Sequence, residues 1–344
     1  MYDLSNYKIK VDPIILGIES SCDETACAIL KGRRVLSEEI ISSASVQALY
    51  GGVVPEIASR AHTEAIDKVV ASALKKAGIQ AGEVDAVAVT YGAGLLGALL
   101  VGLSFAKSFA YANNIPLIAV NHIRGHMAAA YLDRPNLKPP FITLLASGGH
   151  TAILHTVSEL EAKVLGTTVD DAVGEAFDKV ARLLWLPYPG GPNVQKLAEN
   201  GENCIEFPSA LVNRPGVVFS YSGLKTSVIN YLHRAEQKGV KVNAENVAAS
   251  FQCAAIDPLV RKTVELAIAN DVKVVTAGGG VVANAYLRTT LKKACKEAGL
   301  ELILPEKHHC TDNAAMIASE GLNQYIAGNF APLDTNAVAH IPLK

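Results

Sequence analysis

"IILGIESSCDETACAIL", residues 14–30, predicts two apolar strands joined by a short polar turn, and "FITLLASGGHTAIL", residues 141–154, repeats that pattern. Both segments place a serine at the end of the first strand and a threonine where the second resumes: Ser20 and Thr25, Ser147 and Thr151. A repeat of this kind is typical of a duplicated architecture. The pair predicts two domains that begin with the same hairpin, whose turns face each other across a cleft and contact phosphate through backbone N–H groups. The alternative is two unrelated hairpins that look alike.

Strand and helix patterns alternate along the rest of the chain, which predicts an α/β fold. In the N-terminal half, "DAVAVTY" (residues 85–91) is β-rich, whereas "AHTEAIDKVVASALKKAGI" (residues 61–79) has apolar residues at helical spacing. The C-terminal half repeats the alternation. With 344 residues, of which 50% are hydrophobic and 19% charged, the chain is long enough for two domains with separate cores.

The composition favours a cytoplasmic protein with reduced thiols. No apolar run reaches the roughly 18 residues of a membrane span, and "MYDLSNYKIKVDP" at the start lacks the hydrophobic region of a signal peptide. The six cysteines are scattered without a CxxC pair. Neither a disulfide framework nor a four-cysteine zinc site is therefore expected.

The charge balance disfavours a protein that binds nucleic acid unaided through a strong basic patch. The formal net charge is −2, and no run of Lys or Arg exceeds two residues. A protein that binds nucleic acid unaided usually carries a strong basic patch. Any nucleic-acid substrate is therefore expected to bind through a local patch or with the help of a partner protein.

"VNHIRGHMAAAYL", residues 120–132, places two histidines four residues apart in a helical pattern. Residues at this spacing lie about 40° apart around a helix, so the rings of His122 and His126 can point at one ion, and Gly125 between them removes bulk. The pair is not a zincin motif, because Ile123 occupies the position of the catalytic glutamate. Two ordinary surface histidines are the alternative.

A catalytic metal needs at least one further protein ligand, and the segment "KHHCTDNAAMIASEG" offers four candidates: His308, His309, Cys310 and Asp312. Asp312 is the best of them, because Thr311 or Asp312 is expected at the N-terminus of the following helix, where a carboxylate is held by the backbone. Two histidines and one carboxylate leave coordination positions open, as catalytic sites do.

Two strands run directly into glycines, in "LASGGHT" (residues 145–151) and in "VVTAGGGVVANAYLR" (residues 274–288). The second segment continues into a helical pattern, so Gly278 to Gly280 are expected to present backbone N–H groups at a helix N-terminus, where phosphate binds well. Neither segment is a Walker loop or a dinucleotide-binding fingerprint. Each taken alone is also compatible with a plain tight turn.

Acidic residues cluster in two places. "DDAVGEAFDKVARLL" places Asp171, Glu175 and Asp178 in one stripe of a predicted helix, which is either a solvated face or a group that hydrogen-bonds a ribose or an amine. "SSCDET" places Asp23 and Glu24 in the first hairpin turn. Acids are common in turns, but two of them facing a phosphate imply a cation or a proton transfer.

Taken in order, these motifs resemble the bacterial branch of the TsaD family, the tRNA threonylcarbamoyladenosine transferases, over nearly the whole chain from about residue 14. The resemblance rests on "GIESSCDET", "GGVVPEIASRAH", "NHIRGH", "LLASGGHT", "DDAVGEAFDKVARLL", "PYPGGP", "FSYSGLKT", "AGGGVVAN" and "TDNAAM". It implies two duplicated actin-like, sugar-kinase-like (ASKHA) α/β lobes with a nucleotide and metal cleft between them. We expect the N-terminal lobe at 14–130 plus 320–344 and the C-terminal lobe at 131–319.

The resemblance also implies a set of site residues. The implied metal ligands are His122, His126 and Asp312. The implied adenylate-binding residues are Leu145, Ala146, Ser147, Gly148 and Gly149, with further contacts from Asp178, Gly191 and Asn284. Glu175 is implied as a further substrate contact, and Asp23 and Glu24 as catalytic acids near the reacting groups.

The activity that the resemblance implies is that of an acyltransferase. It transfers the threonylcarbamoyl group from L-threonylcarbamoyladenylate to N6 of adenosine 37 in tRNAs that read ANN codons, releasing AMP. One divalent ion, iron or zinc, is implied as cofactor, and an ATP-type nucleotide can occupy the same cleft. The implied partners are tRNA, a TsaB-like paralogue and a TsaE-like ATPase, with no membrane.

The implied chemistry accounts for the predicted parts of the site. A metal ion can polarise the mixed anhydride, and the turn at 147–149 can donate backbone hydrogen bonds to developing negative charge. Because an exocyclic amine is a poor nucleophile, positioning matters more than a strong base, with Asp23 or Glu24 as proton acceptor. Two alternatives stay open: an ATP-dependent kinase or carbamoyltransferase of the same fold that acts on a small molecule, and a non-catalytic scaffold, which the histidine pair disfavours.

Overall fold

The computed structural model describes residues 2–212 and 217–342. They form two compact units. The first comprises the chain up to Leu137 together with the chain from His308 onward, and the second comprises Lys138–Lys307. Each unit contains one β-sheet covered by helices.

The first unit is built on a five-stranded sheet of order β3-β2-β1-β4-β5. Its strands are β1 (Ile14–Glu19), β2 (Glu24–Lys31), β3 (Arg34–Ser42), β4 (Ala86–Gly92) and β5 (Leu117–Asn121). The first three strands pair antiparallel, whereas β4 lies parallel to β1 and β5 parallel to β4. The helices of this unit are α1 (Ala44–Ala48), α2 (Pro55–Ala77), α3 (Leu96–Asn113), α4 (His122–Ala128), α5 (Ala130–Asp133) and, after the second unit, α11 (Lys307–Cys310) and α12 (Ala314–Ile326).

The second unit repeats this topology with one extra strand, in the order β11-β10-β6-β7-β8-β9. Its strands are β6 (Phe141–Ala146), β7 (Thr151–Thr156), β8 (Ala162–Thr168), β9 (Val217–Phe219), β10 (Val274–Gly278) and β11 (Glu301–Ile303). Here too the first three strands pair antiparallel, and β10 and β11 continue parallel to β6. The helices are α6 (Val173–Leu183), α7 (Gly190–Ala198), α8 (Ser222–Gln237), α9 (Ala244–Ala269) and α10 (Ala285–Glu297).

The duplicated hairpin predicted from the sequence is present in both sheets. In the first, Glu19 pairs with Ala26 beside the turn, and in the second Ala146 pairs with Thr151. In each sheet one parallel strand lies beside the first strand of the hairpin, β4 beside β1 and β10 beside β6, and a second parallel strand, β5 or β11, lies beside that one. The expectation of two duplicated α/β lobes is thereby confirmed.

The compact units divide the chain at other points than the predicted lobes. Residues 131–137 and 308–319, predicted in the C-terminal lobe, belong to the first unit, while residues 343 and 344 lie outside the described residues. The physical reason is α12, whose Met316, Ile317 and Ala318 are buried in the core of the first sheet with residues such as Ile15. Asp312, just ahead of α12, therefore lies in the same unit as the histidine pair.

Two local expectations are corrected. The predicted stripe of acids on α6 does not include Asp171, because the helix begins at Val173. The glycines at 278–280 do not open an α-helix either. Gly279 has a φ of +99°, a one-turn 3-10 helix follows, and α10 begins only after Asn284, its N-cap.

No helix within residues 2–212 and 217–342 combines the length and apolarity needed to cross a bilayer.

Candidate functional site

The histidine pair lies at the start of α4, directly after the buried strand β5. The side chain of Asn121 caps the helix by accepting a hydrogen bond from the N–H of Ile123 at 2.9 Å. The centroids of the His122 and His126 rings are 4.6 Å apart, and both side chains are buried. The predicted convergence of the two imidazoles is thus present in the structure.

Gly125 has a different role from the one predicted. A Cβ added there would lie 2.7 Å from Cδ1 of Ile317 and 3.4 Å from Cγ of Met316, both on α12. The glycine therefore permits close packing of α4 against α12, which holds the segment bearing Asp312 beside the histidines.

Asp312 completes the cluster. Its Oδ1 lies 3.5 Å from Nε2 of His122 and 3.3 Å from Nε2 of His126. The N-cap of α12 is Asn313, which accepts a hydrogen bond from the N–H of Met316 at 2.8 Å. The expectation that the helix backbone holds Asp312 is therefore wrong: its neighbour caps the helix, which leaves Asp312 directed at the histidines.

The three residues fit a divalent metal ion. One ligand atom from each lies within 4.8 Å of the others. The carboxylate-to-imidazole separations match the roughly 3.4 Å between two ligands that bind one ion tetrahedrally at about 2.1 Å. Among the described residues, both ring nitrogens of buried His126 lack a hydrogen-bond partner, since its contact with Asp312 does not have hydrogen-bond geometry. A buried imidazole without such partners is costly unless a metal uses its lone pair.

The electrostatics of the cluster are tightly linked. Burial opposes the charged forms of His122 and Asp312. The carboxylates of Asp312 and Glu19 nevertheless hold the pKa of His122 well above its usual value. Conversely, the positive charge of His122 holds the pKa of Asp312 well below its usual range. Burial lowers the pKa of His126, which favours the neutral ring that a metal requires.

Glu19, which the sequence analysis did not single out, supports His122 from behind. Its Oε2 lies 3.0 Å from Nδ1 of His122 and accepts a hydrogen bond from the Thr90 hydroxyl at 2.7 Å, and the side chain is fully buried. A carboxylate on the far nitrogen of a metal-binding histidine fixes the tautomer and the ring orientation. The one available signal in the sequence was an acid ending the otherwise apolar strand "IILGIE".

The acidic turn lies between β1 and β2, in the same unit. Asp23 is buried, and Glu24 accepts a hydrogen bond from the Ser42 hydroxyl at 3.0 Å. Burial, together with the neighbouring carboxylates of Asp23 and Asp312, raises the pKa of Glu24 to about 9. The protonated form of Glu24 is therefore favoured near neutral pH.

In the second unit, the predicted adenylate segment forms the turn after β6. Leu145 and Ala146 are buried in the strand, and Ser147 closes the turn with its N–H donating to the carbonyl of His150 at 2.9 Å. Gly148 and Gly149 are exposed, and a Cβ at either would meet nothing within 4 Å. Within the described chain, the backbone N–H groups of these two glycines make no hydrogen bond, so they are available to a ligand.

Two other glycines hold this turn tightly. A Cβ at Gly174 would lie 2.7 Å from the Ser147 carbonyl oxygen, and one at Gly279 would lie 2.4 Å from the Ala146 carbonyl oxygen. Because these glycines lack side chains, the backbone can pack closely against the turn on both sides and restrict its conformation. A rigid set of outward backbone donors is the geometry that anion-binding turns use.

Asp178 and Gly191 lie together. Oδ1 of Asp178 accepts the N–H of Gly190 at 2.7 Å at the start of α7. Burial raises the pKa of Asp178, against the opposing effect of the N–H groups of Gly190 and Gly191. The carboxylate of Asp178 therefore fixes the backbone at Gly190 and Gly191, the two glycines of "PYPGGP".

Three further predicted residues have structural partners. Asn284 caps α10 by accepting the N–H of Leu287 at 3.0 Å, and its amide donates to Gln252 at 3.0 Å. Asp171 pairs with Lys179 at 2.7 Å and with Lys225 at 3.1 Å. Glu175 is exposed on α6, with its carboxylate 3.4 Å from Lys179.

The sequence of the chain is similar to one family of curated proteins. A family model described as TsaD, tRNA N6-adenosine threonylcarbamoyltransferase, matches residues 34–319. Two curated proteins of that name, from Moorella thermoacetica and Caldicellulosiruptor saccharolyticus, are 51% identical over 96% of this chain and 97% and 98% of their own lengths. One from Clostridium botulinum is 49% identical over 96% of this chain and 97% of its own.

Solved structures of lower identity share the fold. HypF from T. kodakarensis has a TM-score of 0.65 at 15% identity, over 94% of this chain and 50% of its own. Full-length HypF in its phosphate- and nucleotide-bound form gives 0.63 at 15% identity, over 94% and 48%. The Clostridium difficile activator of 2-hydroxyisocaproyl-CoA dehydratase, with bound ADPNP, gives 0.52 at 14% identity, over 92% and 96%. These similarities indicate the ASKHA fold.

Proposed function

The chain belongs to the tRNA N6-adenosine threonylcarbamoyltransferase family, and we propose that it transfers a threonylcarbamoyl group to N6 of adenosine 37 in tRNAs that read ANN codons, using a metal ion held by His122, His126 and Asp312. The observation that carries the metal assignment is the convergence of these three side chains in one buried cluster. The otherwise unpartnered His126 supports the same assignment.

The donor is L-threonylcarbamoyladenylate, a mixed carbamic-phosphoric anhydride. The adenosine N6 attacks the carbamoyl carbon, the bond from that carbon to the phosphate oxygen breaks, AMP leaves, and the amine loses one proton. When bound, a divalent ion supplies Lewis-acid stabilisation of negative charge. The residues bind and orient the two reactants and accept the proton.

The protein's own groups have separate roles in this scheme. The N–H groups of Gly148 and Gly149 donate hydrogen bonds to the adenylate phosphate, and the corner formed by Asp178 and Gly191 contacts the nucleoside. Asp23 accepts the proton of the attacking amine, because Glu24 already carries one near neutral pH. Glu24, in its protonated form, donates a hydrogen bond to the reacting group.

The types of ligand atom in the cluster limit which metal ions it can bind well. Two imidazoles and one carboxylate suit iron or zinc better than magnesium or calcium, which prefer oxygen ligands. We propose iron or zinc, at one ion per chain. Elemental analysis of protein purified without added metal distinguishes the two.

We further propose that the enzyme works in the cytoplasm, where its tRNA substrate is found, with a TsaB-like paralogue and a TsaE-like ATPase as protein partners. The near-neutral net charge of the chain supports a role for partners in holding the tRNA. Pull-down of the purified chain with each candidate partner tests these contacts.

The test of the function is a transfer assay with purified chain, the partner proteins, threonylcarbamoyladenylate and unmodified tRNA. We expect a modified nucleoside at position 37 and an equal amount of AMP. A tRNA with guanosine at position 37 serves as the matched control and receives no group. Release of AMP without tRNA modification would contradict the proposal.

A further inference from the structure

His62, on α2, is a buried residue that the reaction scheme above does not use. The ring has no exposed surface, although it belongs to a long amphipathic helix at the protein surface. Its Nε2 lies 3.0 Å from the carbonyl oxygen of Cys22, and its Nδ1 lies 2.7 Å from the hydroxyl of Thr25. One imidazole therefore joins the two ends of the acidic turn.

The partners assign the tautomer of this ring. A carbonyl oxygen can only accept, so Nε2 carries the proton and donates to Cys22. In the neutral ring Nδ1 then presents a lone pair, which accepts the hydroxyl proton of Thr25. Burial lowers the pKa of His62, which favours the neutral form of the ring.

The two residues enclosed by these hydrogen bonds are Asp23 and Glu24. On the other side of the turn, the N–H and hydroxyl of Ser43 donate to the Asp23 carbonyl oxygen at 2.8 and 3.0 Å, and Ser42 donates to Glu24. The turn is thus held from β3 and α1 on one side and from α2 on the other. On the α2 side, the hydrogen bonds come from His62.

We propose that His62 is a positioning residue for threonylcarbamoyl transfer, whose neutral imidazole fixes the Cys22 carbonyl and Thr25 and thereby aims the Asp23 and Glu24 carboxyl groups at the reacting amine. The inference rests on the proposed function, because it takes the acidic turn to be part of the catalytic machinery. A misplacement of about 1 Å in such groups can cost about 100-fold in rate.

The primary test is His62→Phe, which keeps a planar ring but removes both hydrogen bonds. We expect kcat to fall about 10- to 100-fold, with KM for donor and tRNA within about 3-fold of the parent and zinc affinity unchanged. His62→Gln, whose amide can donate to the Cys22 carbonyl, is expected to recover part of kcat. An unchanged kcat in His62→Phe would overturn the proposal. Equal losses of kcat in His62→Phe and His62→Gln would overturn it as well.

Ser37→Ala is the matched control for stability. The Ser37 hydroxyl donates to the Ala73 carbonyl at 2.7 Å, so this change loosens the same helix from the sheet without contacting the turn. We expect a lower melting temperature with kcat near that of the parent. If kcat of Ser37→Ala and His62→Phe fell together with melting temperature, the role of His62 would be structural and the proposal wrong.

Thr25→Val keeps the test decisive if His62→Phe does not fold, because it removes one of the two hydrogen bonds from the other end. We expect kcat to fall in Thr25→Val alone. Where His62→Phe does fold, we expect the double variant to lose less than the product of the two single losses. The proposed function is tested separately by Asp23→Asn. If Asp23→Asn left kcat unchanged, the catalytic role of the turn would fail, whereas a loss in Asp23→Asn without loss in His62→Phe would overturn only the inference.

Discussion

The metal cluster of the first unit and the glycine turn of the second unit lie next to equivalent hairpins. The cluster is made of side-chain groups, whereas the turn is made of backbone groups. The cluster consists of three side chains within 4.8 Å of one another, backed by the buried Glu19. The turn consists of backbone, with open space at Gly148 and Gly149 and close backbone contacts at Gly174 and Gly279. The same topology thus carries three side chains that can bind a metal ion in one copy and bare N–H donors in the other.

This difference predicts opposite sensitivities. A site made of side chains fails when a side chain is removed, whereas a site made of backbone fails when one is added. Each mutation below therefore removes a group from the cluster or adds one to the turn.

The largest effect is expected from removing a ligand. In Asp312→Ala or His126→Ala, we expect the chain to lose its bound metal and threonylcarbamoyl transfer to fall at least about 100-fold, because the ion and its charge stabilisation go together. Metal content and transfer rate are measured on the same preparation. Asp133→Asn is the control, since the Asp133 carboxylate lies 3.3 Å from Nδ1 of His309, and this variant is expected to retain the metal.

The next largest effect is expected from changing Glu19, which supports His122 from behind. In Glu19→Gln the shape is kept but the charge facing Nδ1 of His122 is lost, so we expect metal affinity to fall about 10- to 100-fold. Competition with a chromophoric chelator measures this affinity. An affinity equal to that of the parent would show that Glu19 only fills space.

Additions to the turn come third. In Gly148→Ala the new methyl group meets no protein atom, so we expect an unchanged melting temperature and adenylate binding about 10-fold weaker. In Gly174→Ala the methyl meets the Ser147 carbonyl, and we expect instead a loss of about 1–3 kcal/mol of stability. Calorimetry of AMP binding and thermal unfolding separate the two. Unchanged AMP affinity in Gly148→Ala would remove this turn from the nucleotide site.

The smallest effect lies outside both sites, at Asp171. Despite partial burial, Lys179 and Lys225 hold the pKa of Asp171 below its usual value. The stabilisation is therefore present above the unfolded pKa of about 3.9 and is lost as pH falls through the lower folded pKa. We expect Asp171→Asn to lose about 1 kcal/mol at pH 7 and less below pH 4. An equal loss at both pH values would contradict the ion-pair assignment.

The sequence predicted those features that depend on short-range pattern. The alternation of apolar strands and helices predicted the duplicated sheets, and the spacing of His122 and His126 predicted two imidazoles on one helix face. Asp312 followed from the small choice of ligands beside a predicted helix start. The duplicated sheets and the histidine pair need no knowledge of which distant residues meet, whereas the choice of Asp312 rested also on the resemblance to the TsaD family.

Features that depend on long-range contact were missed or misassigned. Glu19 and His62 act on residues 103 and 37 to 40 positions away, so no local pattern marks them. Gly125 was assigned to the metal but packs against α12. The compact units end at other residues than the predicted lobes, because the return of α12 to the first sheet is a tertiary contact that the sequence does not display.

The most direct test of the account is a metal titration of chelator-stripped protein. Iron(II) or zinc is added in fractions of an equivalent, and transfer to tRNA is measured at each step. We expect negligible transfer by the stripped chain, a linear rise to a plateau at one ion per chain, and no rise in Asp312→Ala. Full transfer by the stripped chain, or recovery in Asp312→Ala, would contradict the assignment of His122, His126 and Asp312 as the metal site on which the activity depends.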